Sequence, residues 1–165
     1  MVKVIFILLI EIQSYAENSA SVVQQTTINA VLFSEGNESW TQRDLNLYKK
    51  LVQHLFHKEK LSEFSDSIRD DFLISRVVKR EAILFEIEAN KIKLNKLNKL
   101  NSTSYADLSE YSKNEIHSEV DAISFASALL ELKEKQMNQK ARFKAWVDVL
   151  KRKYNVKIKS NEFSK

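Results

Sequence analysis

A chain of 165 residues that contains no proline and a single glycine has very few ways to turn sharply. Glycine supplies positive φ and proline supplies rigid corners, and sandwiches or barrels need both at hairpin after hairpin. With Gly36 alone available, long helices joined by few connections are expected in place of many short strands. The same shortage removes the glycine-rich cradles that hold phosphates in Rossmann and P-loop proteins, so nucleotide chemistry is not expected. Cysteine is absent too, which leaves neither disulfides nor thiolate chemistry and makes packing the source of stability.

The first sixteen residues read as a secretory signal. Met1-Val2-Lys3 carries the positive charge, Val4 to Ile10 is apolar, and Ser14-Tyr15-Ala16 puts small residues at the −3 and −1 positions of a cleavage site. The apolar run is seven residues, far short of the roughly 20 that span a bilayer, so a permanent anchor is not expected. A periplasmic location follows as the expectation. Residues 17–27 are polar and read as a flexible lead-in, and residues 28–160 as one domain.

That domain begins and ends with short alternating stretches, about 28–33 and about 154–158. The expected fold is therefore mostly α, a single helical domain closed by antiparallel pairing of its N- and C-terminal strands. Ser34 to Glu38 forms a turn, and Ser39-Trp40-Thr41 a strand remnant entering a helix. Thr41 with Asp44 approximates a capping box. Leu45, Tyr48, Leu51, Val52, Leu55 and Phe56 then share one helical face. After a charged connection from His57 to Glu63, Asp66 is the expected cap of a second helix. Its apolar side carries Ile68, Phe72, Leu73, Val77, Leu84 and Phe85, widened by Ile74, Val78, Ile83 and Ile87, as a central helix requires.

Residues 91–101 repeat Leu-Asn-Lys at a period of three, which slides around a helix and reads as a linker. Asp107 or Ser109 is the expected start of a weak helix containing Leu108 and Tyr111. Residues 114–154 read as one long helix, or two joined by a kink. Charge is segregated here: Ser102 to Leu132 carries six acidic residues and one lysine, whereas Lys133 to Lys159 carries ten basic and two acidic. Cations in a last helical turn suit the helix dipole, so a basic end needs no partner.

No chemistry stands out. His54 and His57 share a helical face, but a zinc site needs three or four ligands and no third histidine or cysteine lies nearby. No carboxylate pair or nucleophile-elbow glycine pattern marks an acid–base or hydrolase site. Neither enzyme activity, metal nor cofactor is expected. Nucleic acid is not expected as a partner, because the aromatics of the basic stretch fall at core spacing; a membrane surface is a lesser alternative. Sixteen Phe, Tyr and Trp residues exceed the needs of a small interior, so some are expected in an apolar groove.

Residues 28–55 resemble the opening of the SurA family of periplasmic chaperones: Ala30-Val31-Leu32-Phe33, the Gly36-Asn37 turn and Thr41-Gln42-Arg43-Asp44-Leu45 stand in its order. Trp146 to Ile158, with Trp146, Leu150-Lys151-Arg152-Lys153 and Val156-Lys157-Ile158, is similar to that family's closing helix and strand. The chain has no room for the family's parvulin domains, so isomerase activity is not carried over. The resemblance implies a chaperone that binds unfolded or extended polypeptide, such as outer-membrane protein precursors, without enzymatic chemistry. The alternative is an adaptor for one envelope partner. Tyr48, Phe56, Phe72, Phe85 and Phe143 are the expected client-binding residues. Trp146, Val156 and Ile158 are the expected closure, with Trp146 buried where the last helix meets the N-terminal elements.

Overall fold

The structure is a computed structural model that describes residues 30–88 and 108–159. Strands β1 (Val31–Glu35) and β2 (Glu38–Thr41) form a hairpin and lead into helix α1 (Gln42–Phe56). Helix α2 (Ile68–Leu84) follows a loop, and α3 (Lys113–Met137), α4 (Lys140–Lys153) and strand β3 (Val156–Ile158) complete the described chain. The signal-like segment, the polar lead-in and the Leu-Asn-Lys run lie outside the described residues.

The sheet joins the two ends of the chain. Its order is β2-β1-β3, both pairings antiparallel, with Phe33 opposite Ile158 and Glu35 opposite Val156. The hairpin loop has two residues, Gly36 and Asn37, because Glu35 faces Glu38. Gly36 takes φ 57°, and a positive φ at the first loop position is what lets so short a loop follow the strand twist. The first strand is thus 31–35, later than the expected 28–33; Glu35 belongs to the ladder and is buried. At the other end Tyr154 and Asn155 close α4, Asn155 at φ 51°, so β3 begins only at Val156.

Polar side chains set the helix starts. Thr41 and Asp44 form a reciprocal box on α1: Thr41 N–H donates to Asp44 Oδ2 at 2.8 Å, and Asp44 N–H to Thr41 Oγ1 at 3.4 Å. Ser67, not Asp66, caps α2, accepting from Asp70 N–H at 3.1 Å. Asp66 instead faces α4, where Lys140 and Lys144 pair with it. Ser112 with Glu115 caps α3; ahead of it Leu108, in a short 3₁₀ turn, and Tyr111 are buried, while Asp107, one of the two starts expected for a weak helix here, lies outside the described residues. The long C-terminal stretch is two helices, broken at Asn138 in the left-handed region (φ 47°). Asparagine tolerates that region better than most residues, and no proline or glycine is needed.

Helix α2 is central, as its wide apolar arc requires. Phe72, Val77, Val78 and Ala82 are wholly buried, and α3, which packs against α2 more extensively than any other element does, buries the small residues Ala122, Ser124, Ala126 and Ser127. The arc ends early, however: Ile83, Leu84 and Phe85 are 50%, 62% and 61% exposed, so these three do not belong to the core. Phe72 is the hub of an aromatic cluster, with ring centres 5.4 Å from Phe33, 5.1 Å from Tyr48 and 6.3 Å from Trp40. Arg76 runs through this cluster, its guanidinium 4.6 Å from the Trp40 ring centre and 4.5 Å from that of Phe72, and pairs with Glu119 of α3. Both charges are buried, so desolvation costs several kcal/mol each, offset here by the ion pair and the ring faces.

Trp146 is not where it was expected. It is partly buried, its ring 5.6 Å from Phe143 and 5.9 Å from the Lys133 ammonium of α3. The junction of sheet and helices is occupied by the other tryptophan, Trp40. The reason is helical phase: Phe143, Val147 and Leu150 turn inward on α4 and leave Trp146 at the margin.

Candidate functional site

The loop between α1 and α2 builds an open cleft with a partly apolar lining. Helix α1 ends at His57, whose left-handed backbone (φ 54°) directs the chain away after Phe56. The loop then returns over α1 and α3, held by two buried or half-buried carboxylates. Asp71, in the first turn of α2, accepts from Leu61 N–H at 2.7 Å, Ser62 N–H at 2.9 Å and Tyr48 O–H at 2.7 Å. Burial pushes the Asp71 carboxyl above its ordinary value, although these hydrogen bonds pull the other way. Glu134, near the end of α3, accepts from Ser62 O–H and from Glu63 N–H, the latter at 3.1 Å; burial raises its carboxyl as well.

These anchors place Leu61 and Phe64 opposite Leu130 and leave a cleft of about 420 Å³ whose apolar lining is completed by Phe56. Phe64 also meets Phe143 in a tilted ring contact, centres 5.3 Å apart, which fixes one wall to α4. The rim carries both charge signs: Lys58 and Lys135 beside Glu63, Glu131 and Glu134. An apolar floor with a mixed polar rim excludes no particular side-chain charge and rewards burial of one or two aromatic or aliphatic groups.

The expected client-binding residues divide three ways. Tyr48, Phe72 and Phe143 are wholly buried in the core and cannot meet a client; their helical faces are the inner faces of α1, α2 and α4. Phe56 is partly buried and lines the cleft. Phe85 is exposed, just past the C-terminal end of α2, away from the loop that enters the helix's N-terminus. A seventeen-residue helix is about 25 Å long, so Phe56 and Phe85 form no single surface. Among the closure residues, Val156 packs partly on the core and Ile158 is 59% exposed despite facing Phe33 across the ladder.

Leu61 and Phe64 were missed because the stretch from His57 to Glu63 reads as charged connection and Phe64 directly follows it. Glu134 was missed because it is one of several charges near the end of α3 and only the tertiary fold brings it to the loop. The signal in the loop was small: Leu61 and Phe64 are apolar residues in an otherwise polar run, which a solvated loop has no reason to carry. Among the described residues no three His, Asp or Glu side chains converge on a point that could hold a metal ion. Nor is any helix there long and apolar enough to cross a membrane. Compared with protein-family models, curated proteins and solved structures, the chain has no match.

Proposed function

We propose that this protein is a non-enzymatic, SurA-like holding protein of the periplasm that binds unfolded or extended polypeptide through exposed apolar surface. The observation that carries the reading is the cleft between the 57–67 loop and α3, where Phe56 and Phe64 remain partly open above a floor of Leu61 and Leu130. Client side chains entering it would gain ~25 cal/mol per Å² of apolar surface buried, with no ATP. A cleft of this size takes one or two side chains, so each contact is weak and sequence-tolerant and release is fast. Ile83, Leu84 and Phe85 offer a second apolar contact at the end of α2, suited to a client long enough to reach it.

The test is suppression of aggregation of an unfolded outer-membrane protein and of an unrelated soluble client by the chain lacking residues 1–16. Protection of both at near-equimolar ratio, weakened several-fold by Phe64→Ser with the fold intact by circular dichroism, is the expected result. Protection of neither, together with co-purification of one envelope protein at fixed ratio, would replace the holding role with an adaptor's.

A further inference from the structure

The outer edge of the sheet beside β3 has properties that the apolar cleft does not share. Lys159 N–H donates to Leu32 O at 3.0 Å, which makes Leu32 and Lys159 a hydrogen-bonded pair of the antiparallel ladder. Backbone groups alternate in such a ladder, so Lys157 also points its N–H and C=O at β1, while Val156 and Ile158 point theirs outward. Among the described residues no strand pairs with that edge.

The side chains around it are distinctive in two ways. Ile158, 59% exposed, gives the edge an apolar contact. Arg152, Lys157 and Lys159 are exposed, and none of the three forms a side-chain ion pair among the described residues, whereas their neighbours Lys151 and Lys153 are engaged by Asp70 and Glu81. Among the described residues, the result is positive charge without a carboxylate partner next to four main-chain groups without a strand partner. Lysine on an edge strand repels other basic edges and would lose hydration against purely apolar ones, which protects the sheet from self-association. It does not repel an acidic strand.

We infer that the β3 edge accepts an extended, acidic segment of a partner protein, added as a further strand with its carboxylates set against Arg152, Lys157 and Lys159. Main-chain hydrogen bonds to Val156 and Ile158 supply register, Ile158 supplies an apolar contact on one face, and the cations select for charge. The site is separate from the cleft at Phe64 and does not depend on the holding role.

The experiment uses the full chain and two ten-residue capped peptides, one alternating Glu and Val and the other Lys and Val. Binding is read by fluorescence anisotropy and by amide hydrogen exchange. The Glu/Val peptide is expected to bind, to slow exchange of the Val156 and Ile158 amides at least tenfold, and to weaken as salt rises. Lys157→Glu with Lys159→Glu, both at exposed positions, should reduce its affinity at least tenfold and admit the Lys/Val peptide. Phe64→Ser should leave it unchanged. Equal binding of both peptides, absence of protection at Val156 and Ile158, or loss of binding in Phe64→Ser would each overturn the inference.

Discussion

The carboxylate of Asp71 sits 2.7 Å from the hydroxyl of Tyr48, a buried contact that ties α1 to α2. Asp71 also holds the N–H groups of Leu61 and Ser62, whereas Tyr48 adds its ring to the cluster around Phe72. Asp71→Ala strands three buried donors, at ~1–3 kcal/mol for each one left unpaired, so a loss of about 3 kcal/mol or more is expected in urea denaturation. Tyr48→Phe keeps the ring and should cost only about 1 kcal/mol. Equal losses in the two variants would mean that the loop is not anchored by Asp71.

Arg76 and Glu119 make a second, deeper link, between α2 and α3. Glu119→Leu alone leaves a buried guanidinium without its carboxylate and should destabilise by ~3–5 kcal/mol. Arg76→Met together with Glu119→Leu removes both charges and should recover most of that loss. A double variant no more stable than the single one would show that Arg76 acts mainly through the faces of Trp40 and Phe72.

The two tryptophans should differ in weight. Trp146 is partly buried at the margin of α4, so Trp146→Ala should cost ~1–2 kcal/mol, below the ~3–5 kcal/mol of a fully enclosed tryptophan. Trp40, which packs between Phe33, Phe72 and Arg76, should cost more. Chemical denaturation of each variant gives the order directly.

Acid should loosen two surface links before the core. Hydrogen bonds from Lys140 and Lys144 hold Asp66 down to about 2, and those from Ser112, then Arg43, hold Glu115 down to about 2. Both values lie below the ordinary 3.8 and 4.5, so each group favours the fold fully above its ordinary value and loses that contribution as pH falls toward 2. Asp71, Glu119 and Glu134 run the other way, because burial raises them: their ionisation opposes folding, and their contribution is fullest below the ordinary carboxylate range. Asp66→Asn with Glu115→Gln should therefore flatten the fall of stability between about pH 4.5 and 2, measured as urea midpoint against pH.

The helices and their order were legible because periodicity and capping act locally. Thr41 with Asp44 marked the start of α1, and the breadth of apolar positions marked α2 as central. Ser67 displaced Asp66 as a cap because two lysines of α4, remote in sequence, engage Asp66. Two helices were one of the two expected outcomes for 114–154, but the place of the break was not legible, because asparagine is compatible with a helix as well as with the left-handed turn that Asn138 adopts. The candidate site was the least legible part: one of five expected client residues, Phe56, reaches the cleft, and Phe64 was not foreseen.

What the sequence determined by itself is a helical chain with a strand at each end, since one glycine, no proline and the 3.6-residue apolar pattern leave few other folds. The tertiary structure alone decided which aromatics are enclosed and which are open. Tyr48, Phe56, Phe72, Phe85 and Phe143 look alike in periodicity. Their exposure depends on where each helix stops and on what packs across it. Phe72 meets the sheet, Phe143 meets the loop at Phe64, and Phe85 falls past the end of α2. Burial is a property of neighbours far away in the chain, and a local pattern carries no record of them.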